Sequence, residues 1–235
     1  MRKTIADPNA PSLGIAVFVK TPKVSSLKTR LAADLGEEKT LQFYELCIQC
    51  LEQQLLSLQS KRPLEIAVYW SVAEEDQLDH PLWKNLARFW QGEGGLGDRL
   101  HRSQEIMRST HSKLAFLGAD LPIIDTQVFS DFFDQAKIFG EKQICQFGPT
   151  EDGGFYTYMS NSSLDKDIWL RPEYSKDTTL SELKTAINRT QVETLPDLET
   201  TFDVDFIDDL TKLKNHPRLD EDTFLELRSF LHKNL

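Results

Sequence analysis

Two hydrophobic periods alternate along this 235-residue chain. Leu13–Val19 (LGIAVFV) is an unbroken apolar run, the pattern of a strand covered on both faces. Within residues 40–58, Leu41, Tyr44, Ile48, Leu51, Leu55 and Leu58 recur at helical spacing. Arg62-Pro63 then introduces a second apolar run at residues 64–70, and a polar connection with a short helix around residues 79–86 follows. Residues 87–91 read as a short strand before the glycine-rich stretch 92–97, and a helix is expected over 98–109. Further strands are expected at 113–117, 142–147, 155–159 and 191–195. Helices are expected at 127–139, 177–188, 205–213 and 221–231. Repeated strand–helix units with apolar strands predict an α/β fold, three layers around a mainly parallel, mixed central sheet.

No internal repeat or linker breaks the pattern, so residues 1–235 read as one domain, with a flexible 1–12 and a helical 214–235 at its ends. No run approaches the roughly 18–20 apolar residues of a membrane helix, so no membrane span is expected. The opening MRKTIADPNAPS has no apolar h-region, and three cysteines make no disulfide framework; both point to a cytoplasmic protein. Cys47 and Cys50 form a C-x-x-C inside the 40–58 helical pattern, where they read as packing residues and not as a redox pair. The formal net charge of −10 argues against a general nucleic-acid binder.

That charge is unevenly spread. Residues 20–30 (KTPKVSSLKTR) carry four cations and no acid, leaving −14 for the remainder. In open α/β sheets ligands bind beyond the carboxyl ends of the strands, which is where this segment lies. Its charges could neutralise a diphosphate or triphosphate, although the glycines of a Walker A loop are absent. The loop 91–100 (QGEGGLGDRL) allows close backbone approach, and Arg99 is a candidate phosphate or base contact. Asp120 in GADLP, at the tip of a strand, is suited to a divalent metal that also takes phosphate oxygens. Asp125 is placed to cap the helix that follows. Two more acidic loops, GPTEDGG (148–154) and FDVD (202–205), place Asp152, Asp203 and Asp205 at the same edge. On an extended segment Asp203 and Asp205 would point to one side; Asp205 or Asp208 could equally cap the next helix. His80, His101 and His111 read as surface or capping residues, and the aromatics mostly as core.

Five segments occur in one order: FVKTPKVSSLKTRL, QGEGGLGDRL, FLGADLP, GPTEDGGFY and TFDVDFIDDL. In that order the chain resembles a bacterial GT-A-fold, glycosyltransferase-like family, the radical-SAM/selenodomain-associated transferases, some members of which are linked to arsenosugar biosynthesis. It is similar also to the 2-phospho-lactate guanylyltransferase and molybdenum-cofactor nucleotidyltransferase branches of the nucleotide-diphospho-sugar transferase superfamily. The resemblance implies nucleotide or phosphate binding by Lys20, Lys28, Arg30, Gly97 and Arg99. It implies an acceptor side at Gly153, Gly154 and Tyr156, and Mg²⁺ or Mn²⁺ held by Asp120 with Asp205 and Asp203. Asp120 and Asp152 become the candidate catalytic residues, Asp152 as the group that orients or deprotonates the acceptor. The implied activity is transfer from a nucleotide sugar to a small-molecule acceptor. The alternatives are nucleotidyl transfer from a nucleoside triphosphate with release of pyrophosphate, and nucleotide or sugar-phosphate binding without turnover. Crowding of a triphosphate by Lys23, Ser25 and Ser26 favours the sugar donor. The chain departs from the family in having Ser25 or Ser26 where glycine is usual, and Phe206-Ile207 where Thr-Pro is typical.

Overall fold

A computed structural model describes residues 12–235, so the expectation for the N-terminal segment falls, Ser12 apart, outside the described residues. The apolar run Leu13–Val19 is β1, and six of its seven residues are buried because both of its flanks and both of its faces are covered. It pairs in parallel with β2 (Ile66–Val72) on one side and with β4 (Lys113–Gly118) on the other, Leu13 standing opposite both Ile66 and Lys113. β3 (Ala87–Trp90) extends the parallel block beyond β2. β6 (Phe155–Ser160) runs antiparallel between β4 and β5 (Ile144–Pro149), and the two-residue β7 (Glu193–Thr194) closes the far edge. The order is β3-β2-β1-β4-β6-β5-β7, a seven-stranded, mostly parallel, mixed sheet. The α/β architecture expected from the hydrophobic pattern is therefore present.

The helices divide between the two faces. α2 (Glu37–Lys61) sets Tyr44, Ile48, Leu51, Leu55 and Leu58 against one face, where they meet Phe129, Phe132 and Phe133 of α4 (Gln127–Phe139). The opposite face is covered by α3 (Leu96–Arg108), the short α5 (Lys166–Trp169) and α6 (Thr179–Ile187). α2 also buries its other side: Phe43, Leu46, Cys47 and Cys50 pack against α7 (Ile207–Lys214) and α8 (Leu225–Asn234). The C-x-x-C thus lies in a helix–helix seam, with both thiols free and buried. Among the described residues no helix is long and apolar enough to cross a membrane.

Several expectations shift at their edges. Residues 75–77 and 81–83 form two separate 3₁₀ turns instead of one helix, because Pro81 starts a new turn capped by His80 Nδ1. α1 (Thr29–Leu35) arises inside what reads as a loop, and it buries only Leu31. His111 is no surface residue: it is buried and its Nε2 lies 3.0 Å from the Tyr69 hydroxyl. Asp125 accepts the Gln127 amide at 2.9 Å as anticipated. The cap of α7 is neither Asp205 nor Asp208 but Asp209, whose Oδ2 accepts the amides of Asp205 and Phe206 at 3.1 and 2.9 Å.

Candidate functional site

From β1 the chain proceeds outward to β2 and β3, then returns to place β4 on the other flank of β1. The crevice at such a switch point is where open α/β sheets bind ligands. A cavity of about 480 Å³ opens there, floored by Phe18–Lys20 at the end of β1 and by Leu117–Asp120 at the end of β4.

The basic loop is held from beneath by three side chains of other elements. The Tyr44 hydroxyl donates to the Lys20 carbonyl at 2.9 Å and accepts the Lys20 amide at 3.1 Å. Glu74, just past β2, accepts the Thr21 amide at 2.9 Å with one oxygen and the Ser25 hydroxyl with the other. The Trp83 indole donates to Thr21 Oγ1 at 3.3 Å. With its main chain fixed in this way, the loop turns Lys20, Ser26 and Lys28 into the cavity. Lys23 and Ser25 do not line it, so the anticipated crowding of a triphosphate by these two residues is absent.

Lys28 has left-handed backbone angles (φ 41°, ψ 48°) at the start of α1. Its side chain is only 3% exposed, and Nζ donates to Asp120 Oδ1 at 2.7 Å and to the Val204 carbonyl at 2.9 Å. Burial works against the charge on Lys28, but Asp120 and its neighbours outweigh it and leave the pKa raised. Lys28 in turn holds the Asp120 carboxyl below its ordinary range. Asp120 keeps 54% of its side chain exposed, and no protein donor meets its second oxygen among the described residues.

Asp203 also lines the cavity, but Asp205 does not. Asp205 takes Arg30 at 3.2 Å, and the Arg30 guanidinium lies 5.4 Å from the ring centre of Phe206. Arg30 is likewise outside the cavity lining. Of these two aspartates, Asp203 faces the cavity, whereas Asp205 is engaged by Arg30 outside its lining. Burial pushes the Asp203 carboxyl up to about 7, aided by the charges of Asp120 and Asp152.

On the far side, Asp152 closes its own loop: its Oδ1 accepts the Thr150 hydroxyl at 2.6 Å and the Gly154 amide at 3.0 Å. Asp152, Gly154 and Tyr156 line the cavity, whereas Gly153 and Gly97 do not. Both of these glycines instead permit close packing, Gly97 against Trp169 and Gly153 against Asp177. Arg99 lines the cavity, as do Tyr174, Ser175, Lys176 and Thr179 from a segment to which the sequence assigned no role.

Gln91 is a lining residue that the motifs did not single out. It is buried, and its Nε2 donates to the carbonyls of Val19 and Ser71 at 3.3 and 2.9 Å. With both donors consumed, the amide is fixed as an acceptor. The only sequence signal was its place immediately after β3. Tyr44 was visible only as a core position of α2, and Glu74 only as one acid in a polar connection.

Residues 54–169, just under half of the chain, match the family described as "Uncharacterized protein conserved in bacteria (DUF2064)". The matched stretch contains Gln91, Arg99, Asp120 and Asp152 but not the lysine loop or Asp203. No curated protein matches the chain. Among solved structures, the chain is similar to a candidate nucleotide-diphospho-sugar transferase from Desulfovibrio desulfuricans G20, with TM-score 0.78 and 20% identity over 95% of this chain and 98% of that one. It is also similar to a cytidylyltransferase from Leptospira borgpetersenii serovar Hardjo-bovis, with TM-score 0.54 and 13% identity over 95% of each chain. The fold is thus that of nucleotide-diphospho-sugar transferases.

Proposed function

We propose that the chain is a transferase using a nucleotide-activated donor, most specifically a glycosyltransferase acting on a small-molecule acceptor. The observation that carries this reading is the Lys28–Asp120 pair in the switch-point cavity, beside Lys20 and the fixed amide of Gln91. Lys20 and Lys28 offer charge to a diphosphate, and the Gln91 carbonyl oxygen offers an acceptor to an N–H of a base. Asp152, whose Oδ2 has no protein donor among the described residues, can orient an acceptor hydroxyl. Asp203, with a pKa near neutrality, is a second cavity-lining group able to hold a proton.

The donor set fits a hard divalent cation, Mg²⁺ or Mn²⁺, that keeps most of its water. Among the described residues no three acidic, histidine or cysteine side chains converge as a cage. Such a cation needs only one or two carboxylates, and Asp120 and Asp203 supply them. The charges of Asp120 and Asp152, which add to burial in raising Asp203, are the excess such an ion would relieve. Asp205, tied to Arg30 at the rim, is the weaker member of the anticipated trio. Bound there, the ion would supply positive charge to a leaving phosphate.

Nucleotidyl transfer is the second reading, favoured by the shared fold with a cytidylyltransferase. Against it, the Thr21 amide is committed to Glu74, so the loop offers lysine side chains more than a main-chain cradle for a triphosphate. The order of the five sequence motifs supports placing the chain near the radical-SAM-associated transferases. The test is a thermal-shift panel of nucleoside triphosphates and nucleotide sugars with and without Mn²⁺, followed by product analysis. Stabilisation by a nucleotide sugar that requires the metal, with release of a nucleoside phosphate, is expected. Release of pyrophosphate selects nucleotidyl transfer, and binding of a donor with no product from a broad acceptor panel selects a non-catalytic binder.

A further inference from the structure

The cavity has a second wall, opposite the lysine loop, built from the first turn of α3 and from residues 169–179. These pieces are locked together. A Cβ on Gly97 would lie 2.4 Å from the Trp169 carbonyl oxygen, and one on Gly153 would lie 2.0 Å from that of Asp177. The Tyr174 hydroxyl donates to the Trp169 carbonyl at 2.7 Å. The Lys176 amide donates to Thr179 Oγ1 at 3.2 Å, and that hydroxyl donates to the Glu173 carbonyl at 2.9 Å. Ser175, between them, has φ 62°. The wall is therefore a built surface, fixed by close main-chain contacts.

It presents two cations to the cavity, Arg99 and Lys176. The acid next to Arg99 is already spent, because Asp98 takes Lys166 at 2.9 Å. Arg99 Nε donates to the Gly94 carbonyl at 3.1 Å, and its terminal amino groups meet no protein acceptor among the described residues. Lys176 pairs with Glu173 at 3.5 Å, the one ion pair it makes among the described residues. On the opposite wall, by contrast, Lys28 is bound to Asp120 and the charge of Lys20 also acts on Asp120.

We propose that Arg99 and Lys176 form an anion subsite for the acceptor, distinct from the donor-phosphate positions at Lys20 and Lys28. The acceptor is then a small molecule bearing a phosphate, sulfate or carboxylate group. The free edge of the Arg99 guanidinium matches the paired oxygens of such a group. Leu96, Leu100, Phe155 and Tyr174, which line the cavity around the two cations, take the acceptor's less polar body. This subsite rests on the transferase reading above, since it is the donor that leaves Arg99 and Lys176 to a second ligand.

The test uses the full chain with Mn²⁺ and UDP, GDP, CDP or ADP, whichever stabilises it most, and inorganic phosphate as the probe. Phosphate is titrated calorimetrically with the nucleotide already saturating. Phosphate is expected to bind with nucleotide present, and Arg99→Gln and Lys176→Gln each to weaken it about tenfold while leaving nucleotide affinity within about twofold. Arg99→Lys should restore part of the loss, separating charge recognition from a folding defect, and an unchanged melting temperature checks the fold of each variant. Competition between phosphate and nucleotide, or variants that weaken the nucleotide instead, would assign these cations to the donor and overturn the proposal. So would a lack of saturable phosphate binding to the nucleotide-loaded wild type. If none of the four nucleotides binds, the transferase reading itself fails, an outcome separate from any loss at Arg99.

Discussion

Lys28 Nζ lies 2.7 Å from Asp120 Oδ1 although 92 residues separate them in the chain. The contact ties the basic loop after β1 to the acidic tip of β4 and sets the charge state of both. Asp120 has a depressed pKa, so its part of the pair's stabilisation is complete above the ordinary carboxylate range and is lost as pH falls through the lowered value. Lys28→Met keeps the buried stem and removes the charge. Asp120 is half exposed and can be rehydrated, so the stability loss in urea at pH 7 should be no more than about 1–2 kcal/mol. Donor affinity should fall about tenfold or more, and a double-mutant cycle with Asp120→Asn should show strong non-additivity in both readouts.

Asp120→Asn alone keeps the shape of the β4 tip while removing the charge that Lys28 and a divalent cation share. Nucleotide-sugar binding should lose its dependence on Mn²⁺, measured as the thermal shift gained on adding metal. Retention of the full metal-dependent shift would remove Asp120 from the metal site.

Asp203 behaves in the opposite sense to Asp120. Its folded-state pKa of about 7 lies above the ordinary value of 3.8, so ionising it disfavours the folded chain. The contribution is fully favourable below the ordinary value and is lost as pH rises through about 7. Asp203→Asn removes this cost. In metal-free buffer it should raise stability at pH 8 by about 1–2 kcal/mol, allowing for the partial exposure of the group, and a few degrees in Tm. At pH 4 the difference from wild type should be close to zero.

The course of β1, α4 and β4 was legible in the sequence because buried strands and long amphipathic helices impose their period on consecutive residues. The lining positions of Lys20, Lys28, Asp120 and Asp152 were legible too, since each sits in a motif of the segment that follows a strand. Arg30 and Asp205 show the limit: their motifs are as clear, but whether a side chain lines the cavity or pairs outside it is decided by long-range contacts. Here the deciding contacts are the commitment of Lys28 to Val204 and Asp120, and the cap that Asp209 makes over Asp205 and Phe206. Glu74 and Tyr44 were hidden for a related reason, because their partner loop is 49 and 24 residues away and no local pattern records it.

Gly153 joins the 150–154 loop to the 174–180 segment, and here a single methyl group is decisive. Its φ is +85°, and a Cβ would lie 2.0 Å from the Asp177 carbonyl oxygen, with the Leu180 amide donating to the Gly153 carbonyl at 3.0 Å. Gly153→Ala therefore combines backbone strain with a main-chain clash and should cost about 2–4 kcal/mol, or displace the 174–179 segment. Gly36 is the control: its φ is +87° but nothing lies within 4 Å of its Cβ position. Gly36→Ala should show strain alone, about 1–3 kcal/mol, with no displaced segment, in the same denaturation measurement.

Cys47 and Cys50 have the spacing of a redox pair and the surroundings of a core. Cys47 is fully buried and Cys50 nearly so, in the seam between α2 and the C-terminal helices. Burial raises the Cys47 thiol far above its ordinary value and pushes Cys50 up to about 12. Since the thiolate is the reactive form, neither should react at pH 8 while the chain is folded. The third cysteine, Cys145, is also buried, with its thiol pushed up to about 11. A thiol-specific reagent should therefore titrate almost none of the three cysteines in native buffer and all three in guanidinium chloride. Rapid labelling of the native protein, or a Cys47–Cys50 disulfide that forms without unfolding, would restore the redox reading of this motif.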